Sequence, residues 1–267
     1  MSLSNLAVTC ADPALLAQAE ELALRLQLPL AQPGEQHQLL LRCSSRGLEL
    51  LKLDDPNMTG SVRVDFTSGA AVFRRQQTGK ELLLKAVGCK GRAKPAVIDA
   101  TGGLGRDSFL LATAGCQVHL FEQEPVIAAL LADGLARARL YPETMNIAAR
   151  IQLTVGDAVT FLRALQVRNE QVEVIYLDPM FPERRKSALV KKELQLLQLL
   201  ATADPSADQL LLSAALSVGN RVVIKRPVRA PYLADLRPSH SILGTNIRFD
   251  VHLRTRVNLT AANDTSG

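Results

Sequence analysis

Asp178-Pro179-Met180-Phe181 closes an apolar run, EVIYLD (173–178), and Arg184, Arg185, Lys186, Lys191 and Lys192 follow at once. These residue types suit the activation of an aryl amine, whose lone pair is delocalised into its ring and is a weak nucleophile. A carboxylate that accepts one N–H, with a backbone carbonyl accepting the other, favours the pyramidal amine whose lone pair points at an electrophile. Asp178 supplies the carboxylate. Pro179 fixes φ and with it the direction of the carbonyl, and the Phe181 ring can stack on a base. The basic residues behind them suit phosphates flanking a target nucleotide. The alternative is a strand that merely ends in Asp-Pro, with Phe181 in the core.

A second stretch bears on which electrophile is present. DATGGLGRD (99–107) joins one apolar strand to the next helix, at the carboxyl end of the strands where ligands bind in open α/β sheets. A dinucleotide fingerprint requires G-x-G-x-x-G, and here Gly103-x-Gly105 runs on to Ser108. Asp99, Gly103 and Gly105 instead make the D-x-x-x-G-x-G form of S-adenosylmethionine enzymes, which cradle no pyrophosphate. Arg106 and Asp107 open the helix, where Asp107 can equally cap free N–H groups. Glu122 ends the next strand, about 20 residues on, where an acid accepts hydrogen bonds from ribose hydroxyls. Gly156-Asp157 ends the third strand, a place for an adenine amino contact or for an ordinary helix cap.

The elements that must position these residues follow an alternating rhythm. AVIDA (96–100), QVHLFE (117–122), IQLTV (151–155), EVIYLD (173–178) and RVVIKRP (221–227) read as short buried strands, with amphipathic helices between the earlier ones. A helix is expected over 187–201. IRFDVHLR (247–254) follows a turn at LGTN and not a helix, so the last strand is expected to run antiparallel. Ahead of this lies a small α+β unit: LAVTC (6–10), a helix from Asp12-Pro13 to Leu26, then HQLLLRCS, GLELLKL and SVRVDF as strands. The expected division is an N-terminal domain over 1–78, a larger one over 79–257 and a disordered tail over 258–267.

The 267-residue chain carries a net charge of +5. Its basic residues gather in three groups, one from Arg74 and Arg75 to Lys94, one over 184–192, and one at Arg221, Lys225, Arg226 and Arg229. Three such groups around one site would suit a polyanion. Four scattered cysteines without a CxxC pair point to reduced thiols, and four histidines argue against a histidine-built metal site. No apolar run is long enough to span a bilayer, and MSLSNLAVTCADP lacks the basic start of a signal peptide, so a cytoplasmic place is expected.

VIDATGGLGRDSFLLA, LFEQEPVIAALLADGLARA, YLDPMFPERRKSALVKKELQ and VVIKRP together resemble the ribosomal small subunit methyltransferase J family, from about Val62 to Asp250. The resemblance implies a Rossmann-like class I S-adenosylmethionine-dependent fold and methylation of a guanine N2 in small-subunit rRNA. It places the cofactor on Arg106, Asp107, Glu122, Gln123, Gly156, Asp157 and Asp178. Gln123 stands where the family carries a basic residue, and Gly156-Asp157 where its pair is small and hydroxylic. Arg74, Arg75, Lys186, Lys191, Lys192, Lys225 and Arg226 are then the expected RNA contacts, with ribosomal RNA or the subunit as partner and no metal. Chemistry alone leaves open an adenine-N6 enzyme, while Ser108 disfavours a nicotinamide-dependent oxidoreductase and the intact turn with Glu122 and Asp178 disfavours a non-catalytic RNA-binding protein.

Overall fold

The computed structural model describes residues 5–53, 61–68, 81–179, 199–200 and 205–254. Four strands, β1 (Leu6–Cys10), β2 (Leu39–Ser44), β3 (Gly47–Lys52) and β4 (Ser61–Val62), form a first sheet in that order. β1 is parallel to β2, and the other pairs are antiparallel. The parallel pair needs a crossover, which α1 (Leu16–Leu26) supplies. Asp12 starts the crossover by accepting the Ala14 N–H at 2.9 Å, and Gln27 ends it at a φ of 55°. The expected strand SVRVDF pairs only at Ser61 and Val62. Asp65 explains the early end, because its carboxylate accepts hydrogen bonds from the Thr67 amide, the Thr67 hydroxyl and the Ser68 amide and so turns the chain.

The second sheet holds β5 (Ala96–Asp99), β6 (Gln117–Glu122), β7 (Ile151–Val155), β8 (Val172–Leu177), β9 (Gly219–Pro227), β10 (His240–Leu243) and β11 (Ile247–Leu253). Their order is β10-β11-β9-β8-β5-β6-β7. β5 to β9 are mutually parallel, and β11 runs antiparallel to both neighbours, as its turn connection predicts. The helices are α2 (Leu82–Ala86), α3 (Arg106–Thr113), α4 (Pro125–Ala138), α5 (Pro142–Ala148), α6 (Ala158–Val167) and α7 (Pro205–Val218). Strand order reverses between β5 and β8, and that is the switch point at which open sheets of this kind bind ligands.

Both faces of this sheet are covered, so its strands are apolar on both sides. Val174 and Tyr176 of β8 pack into one cluster with Val97, Leu120 and Val223, while Ile175 and Leu177 pack into another with Ile98 and Ile224. The first cluster continues into the N-terminal sheet through Leu41, Leu50, Val64 and Phe66. Polar contacts fix that junction. Asp133 of α4 accepts the Leu48 N–H at 3.0 Å and pairs with Arg137 at 2.8 Å, and Arg137 also donates to the Val64 carbonyl. The expected boundary near residue 78 and the tail over 258–267 fall outside the described residues.

Three elements carry no sequence expectation. β10 is an edge strand with no buried residue, α5 buries only Thr144 and Ala148, and α7 follows the span expected to be helical over 187–201. Only residues 199 and 200 of that span are described, and both are helical. The basic groups also separate. Lys90, Arg92 and Lys94 precede the N-terminal end of β5, and Arg221 near the start of β9 donates to the Ala86 carbonyl at 2.9 Å. Those residues lie at the opposite end of the strands from Asp99, Lys225 and Arg226.

Candidate active site

Gly102 to Gly105 carry the chain from β5 into α3. The Gly102 N–H donates to the Phe121 carbonyl at 2.8 Å, and the Gly105 N–H to the Gly102 carbonyl at 2.9 Å. Gly103 and Gly105 take φ values of 53° and 71°, which residues with a Cβ seldom adopt. A Cβ on Gly105 would sit 2.5 Å from Leu131 Cδ1, so the turn is closed on that side. One on Gly103 would meet nothing nearer than the Thr101 carbonyl at 4.0 Å, so the turn is open on the other.

Glu122 faces that open turn from the end of β6. It is 9 % exposed, and its two oxygens accept the Gly103 N–H and the Glu124 N–H, each at 2.7 Å. Burial raises its pKa, while the backbone donors, which include the Gln123 amide, work against that rise. A carboxylate oxygen has two lone pairs, so each can still accept a ribose hydroxyl. An open glycine turn beside a buried, half-used carboxylate fits the adenosyl portion of S-adenosylmethionine.

Strand periodicity assembles the second half of the site. Leu177 pairs with Ile224 across parallel β8 and β9, which brings the next residues, Asp178 and Lys225, side by side. The Lys225 ammonium lies 2.7 Å from Asp178 Oδ2 and 2.8 Å from Asp107 Oδ2 in the first turn of α3. Tyr176, two residues before Asp178 and on the same face, donates its hydroxyl to Asp107 at 2.7 Å. The Asp178 N–H donates to Thr101 Oγ1 at 2.6 Å, tying the strand end to the glycine turn. Burial alone would lower the pKa of Lys225, but the two carboxylates outweigh it and hold the ammonium well above its ordinary value. Burial, then the charges of Asp107 and Asp178, keep Tyr176 protonated.

Asp99, Gly103, Gly105, Asp107, Glu122 and Asp178 thus come together at the switch point, with Pro179 buried beside Asp178. Arg106 and Gln123 are exposed next to them. Asp157 caps α6, accepting the Val159 and Thr160 N–H groups at 3.0 Å each. Lys225 and Arg226, expected to face phosphates, point elsewhere. Lys225 joins two carboxylates, and Arg226 is 5 % exposed and donates to the Pro231 carbonyl at 3.1 Å. Phe181, Arg74, Arg75, Lys186, Lys191 and Lys192 lie outside the described residues. Sequence reasoning missed Thr101 and Tyr176. A hydroxyl two residues past a strand-end acid, and a tyrosine two before one, were the available signals.

Asp99 sits beneath the turn and not on its surface. It is 2 % exposed, accepts the Ser108 hydroxyl at 2.5 Å and the Thr101 N–H at 3.1 Å. Burial pushes its pKa up to about 7, against the pull of those two hydrogen bonds. The folded chain therefore holds this proton more tightly than the unfolded chain does. The corresponding stability is full below about pH 4 and is lost as pH rises to about 7, at roughly 1.4 kcal/mol per pH unit across that window. Asp99→Asn should flatten the decline, as read by denaturant unfolding at a series of pH values. An unaltered decline would assign it to other groups.

Comparison with known proteins agrees with this architecture. A family profile described as "Putative SAM-dependent methyltransferase" matches residues 21–254. The ribosomal RNA small subunit methyltransferase J of Tolumonas auensis is 47 % identical over 258 residues, which cover 93 % of this chain and 98 % of that protein. The protein of that name from Pseudomonas aeruginosa is 44 % identical over 256 residues, covering 94 % of each chain. The crystal structure of a SAM-dependent methyltransferase from Neisseria gonorrhoeae superposes with a TM-score of 0.71 at 35 % identity, covering 97 % of this chain and 99 % of that one. The glycine turn, the carboxylates at the switch point and these likenesses together mean that the chain belongs to the ribosomal RNA small subunit methyltransferase J family of S-adenosylmethionine-dependent enzymes.

Proposed function

We propose that this chain methylates the exocyclic N2 amine of a guanosine in small-subunit ribosomal RNA, in the cytoplasm. The observation that carries the chemistry is Asp178, fixed at the end of β8 by Thr101 through its backbone and by Lys225 through its carboxylate. The names of the relatives support the RNA class, and the family resemblance supports guanine N2 over adenine N6. Glu122 is suited to the ribose hydroxyls of the cofactor, and Gly103 leaves room for its approach. When bound, S-adenosylmethionine supplies an electrophilic methyl group on a sulfonium centre.

The chain's own residues prepare the nucleophile. Asp178 accepts one amine N–H and the Pro179 carbonyl the other, which turns the nitrogen lone pair out of conjugation and towards the methyl. As the N–C bond forms, the amine becomes strongly acidic and releases a proton. Asp178 can take it, because the developing cation is a far stronger acid than a carboxylic acid. Lys225 holds that carboxylate in place through the ion pair at 2.7 Å. A base inside structured RNA must be unstacked to reach the strand end.

Mass mapping of nucleosides in small-subunit rRNA from cells lacking this protein tests the assignment. One N2-methylguanosine should vanish and return when the gene is restored. Loss of an N6-methyladenosine would move the target to adenine. An unaltered nucleoside profile would leave RNA binding without catalysis as the reading.

A further inference from the structure

The chain leaves β9 at Pro227, two residues beyond Lys225, and does not re-enter the sheet until His240. An interior charge organises this loop. Arg248 of β11 is 5 % exposed, and its guanidinium donates to the carbonyls of Pro227, Val228 and Ala230 at 3.1, 2.6 and 2.8 Å. It donates further to the Pro231 carbonyl at 3.4 Å and pairs with Asp250 at 2.9 Å, while Ser241 donates to Asp250 at 2.6 Å. Arg226 adds its own bond to the Pro231 carbonyl. Leu233 anchors the next turn in the apolar cluster beneath α7. Ala234 and Asp235 are held at φ values of 51° and 54°, where non-glycine residues are seldom found. Strain of that kind persists only where the surroundings over-determine it, and it collects at functional sites.

So much fixing presents an exposed surface. Tyr232 is 39 % exposed, and the Arg248 guanidinium lies 5.0 Å from its ring centroid. The buried Arg248 therefore backs one face of a ring that stays exposed. Arg229 and Arg237 are exposed on either side, with Asp235 the one acid in the span. A ring held by a buried cation and flanked by arginines, on the rim that carries Asp178, is suited to stack a base between neutralised phosphates.

We propose that the loop over 228–237 is the RNA-recognition platform of this enzyme. Tyr232 stacks on a nucleobase adjoining the target, Arg229 and Arg237 take the neighbouring phosphates, and Arg248 acts as the positioning residue that sets the ring. The proposal rests on the reading of RNA as substrate. The test uses the full chain, S-adenosylmethionine and small-subunit rRNA. Tyr232→Ala should lower kcat/KM for RNA about tenfold or more through KM, with S-adenosylmethionine affinity by calorimetry held, while Tyr232→Phe should restore it. Arg229→Ala and Arg237→Ala should each reduce the salt slope of RNA binding by about one. Arg248→Lys should reproduce the KM defect of Tyr232→Ala and add little to it in the double variant.

An unaltered KM in Tyr232→Ala, or a Phe variant as weak as the Ala one, overturns the platform while the wild-type enzyme still methylates RNA. Failure of the wild-type enzyme to transfer methyl to any RNA overturns the reading beneath it as well. Should Arg248→Lys fail to fold, the two Tyr232 variants decide the matter, since that side chain is exposed.

Discussion

Asp178→Ala should reduce the turnover number for methyl transfer by about 10²–10⁴, with S-adenosylmethionine affinity altered only a few-fold. The substitution removes both the acceptor that turns the amine and the nearest group for its proton. It should do so without disturbing the fold. Lys225 keeps Asp107 at 2.8 Å, so the ammonium is still paired when Asp178 is gone. The Asp178 N–H and its bond to Thr101 belong to the backbone and survive. Asp178 is also the most solvent-exposed member of the trio, at 38 % against 24 % for Lys225 and 11 % for Asp107, so little buried volume is lost. Single-turnover rates with saturating cofactor, beside calorimetric binding of the cofactor, separate the two quantities. Turnover near that of the wild type would remove Asp178 from the chemistry.

Much of this site was legible because it is written in local runs. The glycine turn needs only nine consecutive residues, and strand-end acids such as Glu122 and Asp178 announce themselves where an apolar run stops. The parallel sheet was legible for a related reason: strands buried on both faces, such as Val174 to Leu177, show as unbroken apolar runs. Local pattern fails where a role depends on register. Lys225 reads as a rim cation suited to phosphate, and only the pairing of Leu177 with Ile224 brings it against Asp178, 47 residues earlier. Asp99 reads as a cofactor contact because it starts the motif, yet the Ser108 hydroxyl and burial set it under the turn. α5 went unread because a helix that buries Thr144 and Ala148 has no apolar stripe to show.

Position also explains Arg248 and Asp250. Both sit in IRFDVHLR, which reads from the sequence only as a last, antiparallel strand. In the fold β10 pairs beside them and the 227–231 segment meets the guanidinium, leaving Arg248 5 % and Asp250 2 % exposed. A buried guanidinium is costly unless every donor finds a partner, and the carbonyls of the 227–231 segment are those partners. The loop's shape and the strand's charge therefore answer to one another across about 20 residues of sequence.

Lys225→Met should move the acid limb of the pH–rate profile upward by about 1–3 units, with turnover falling about tenfold for each pH unit below the new limb. At present one cation serves two carboxylates, so the trio carries one net negative charge. Without the ammonium, Asp107 and Asp178 lose the cation they share beside the buried Tyr176 hydroxyl. Like charges and the loss of the cation both favour the protonated acid, so the pKa of the pair rises. Activity that needs an ionised Asp178 is then lost as pH falls through that higher value and is regained on raising pH. Recovery in alkali is the discriminating result, because a merely misfolded variant would not regain rate. The same variant separates this role from a phosphate contact. Loss of a phosphate partner would reduce the salt slope of RNA binding by about one. A carboxylate-holding Lys225 should leave that slope in place, and a pH–rate profile parallel to that of the wild type would sink the assignment.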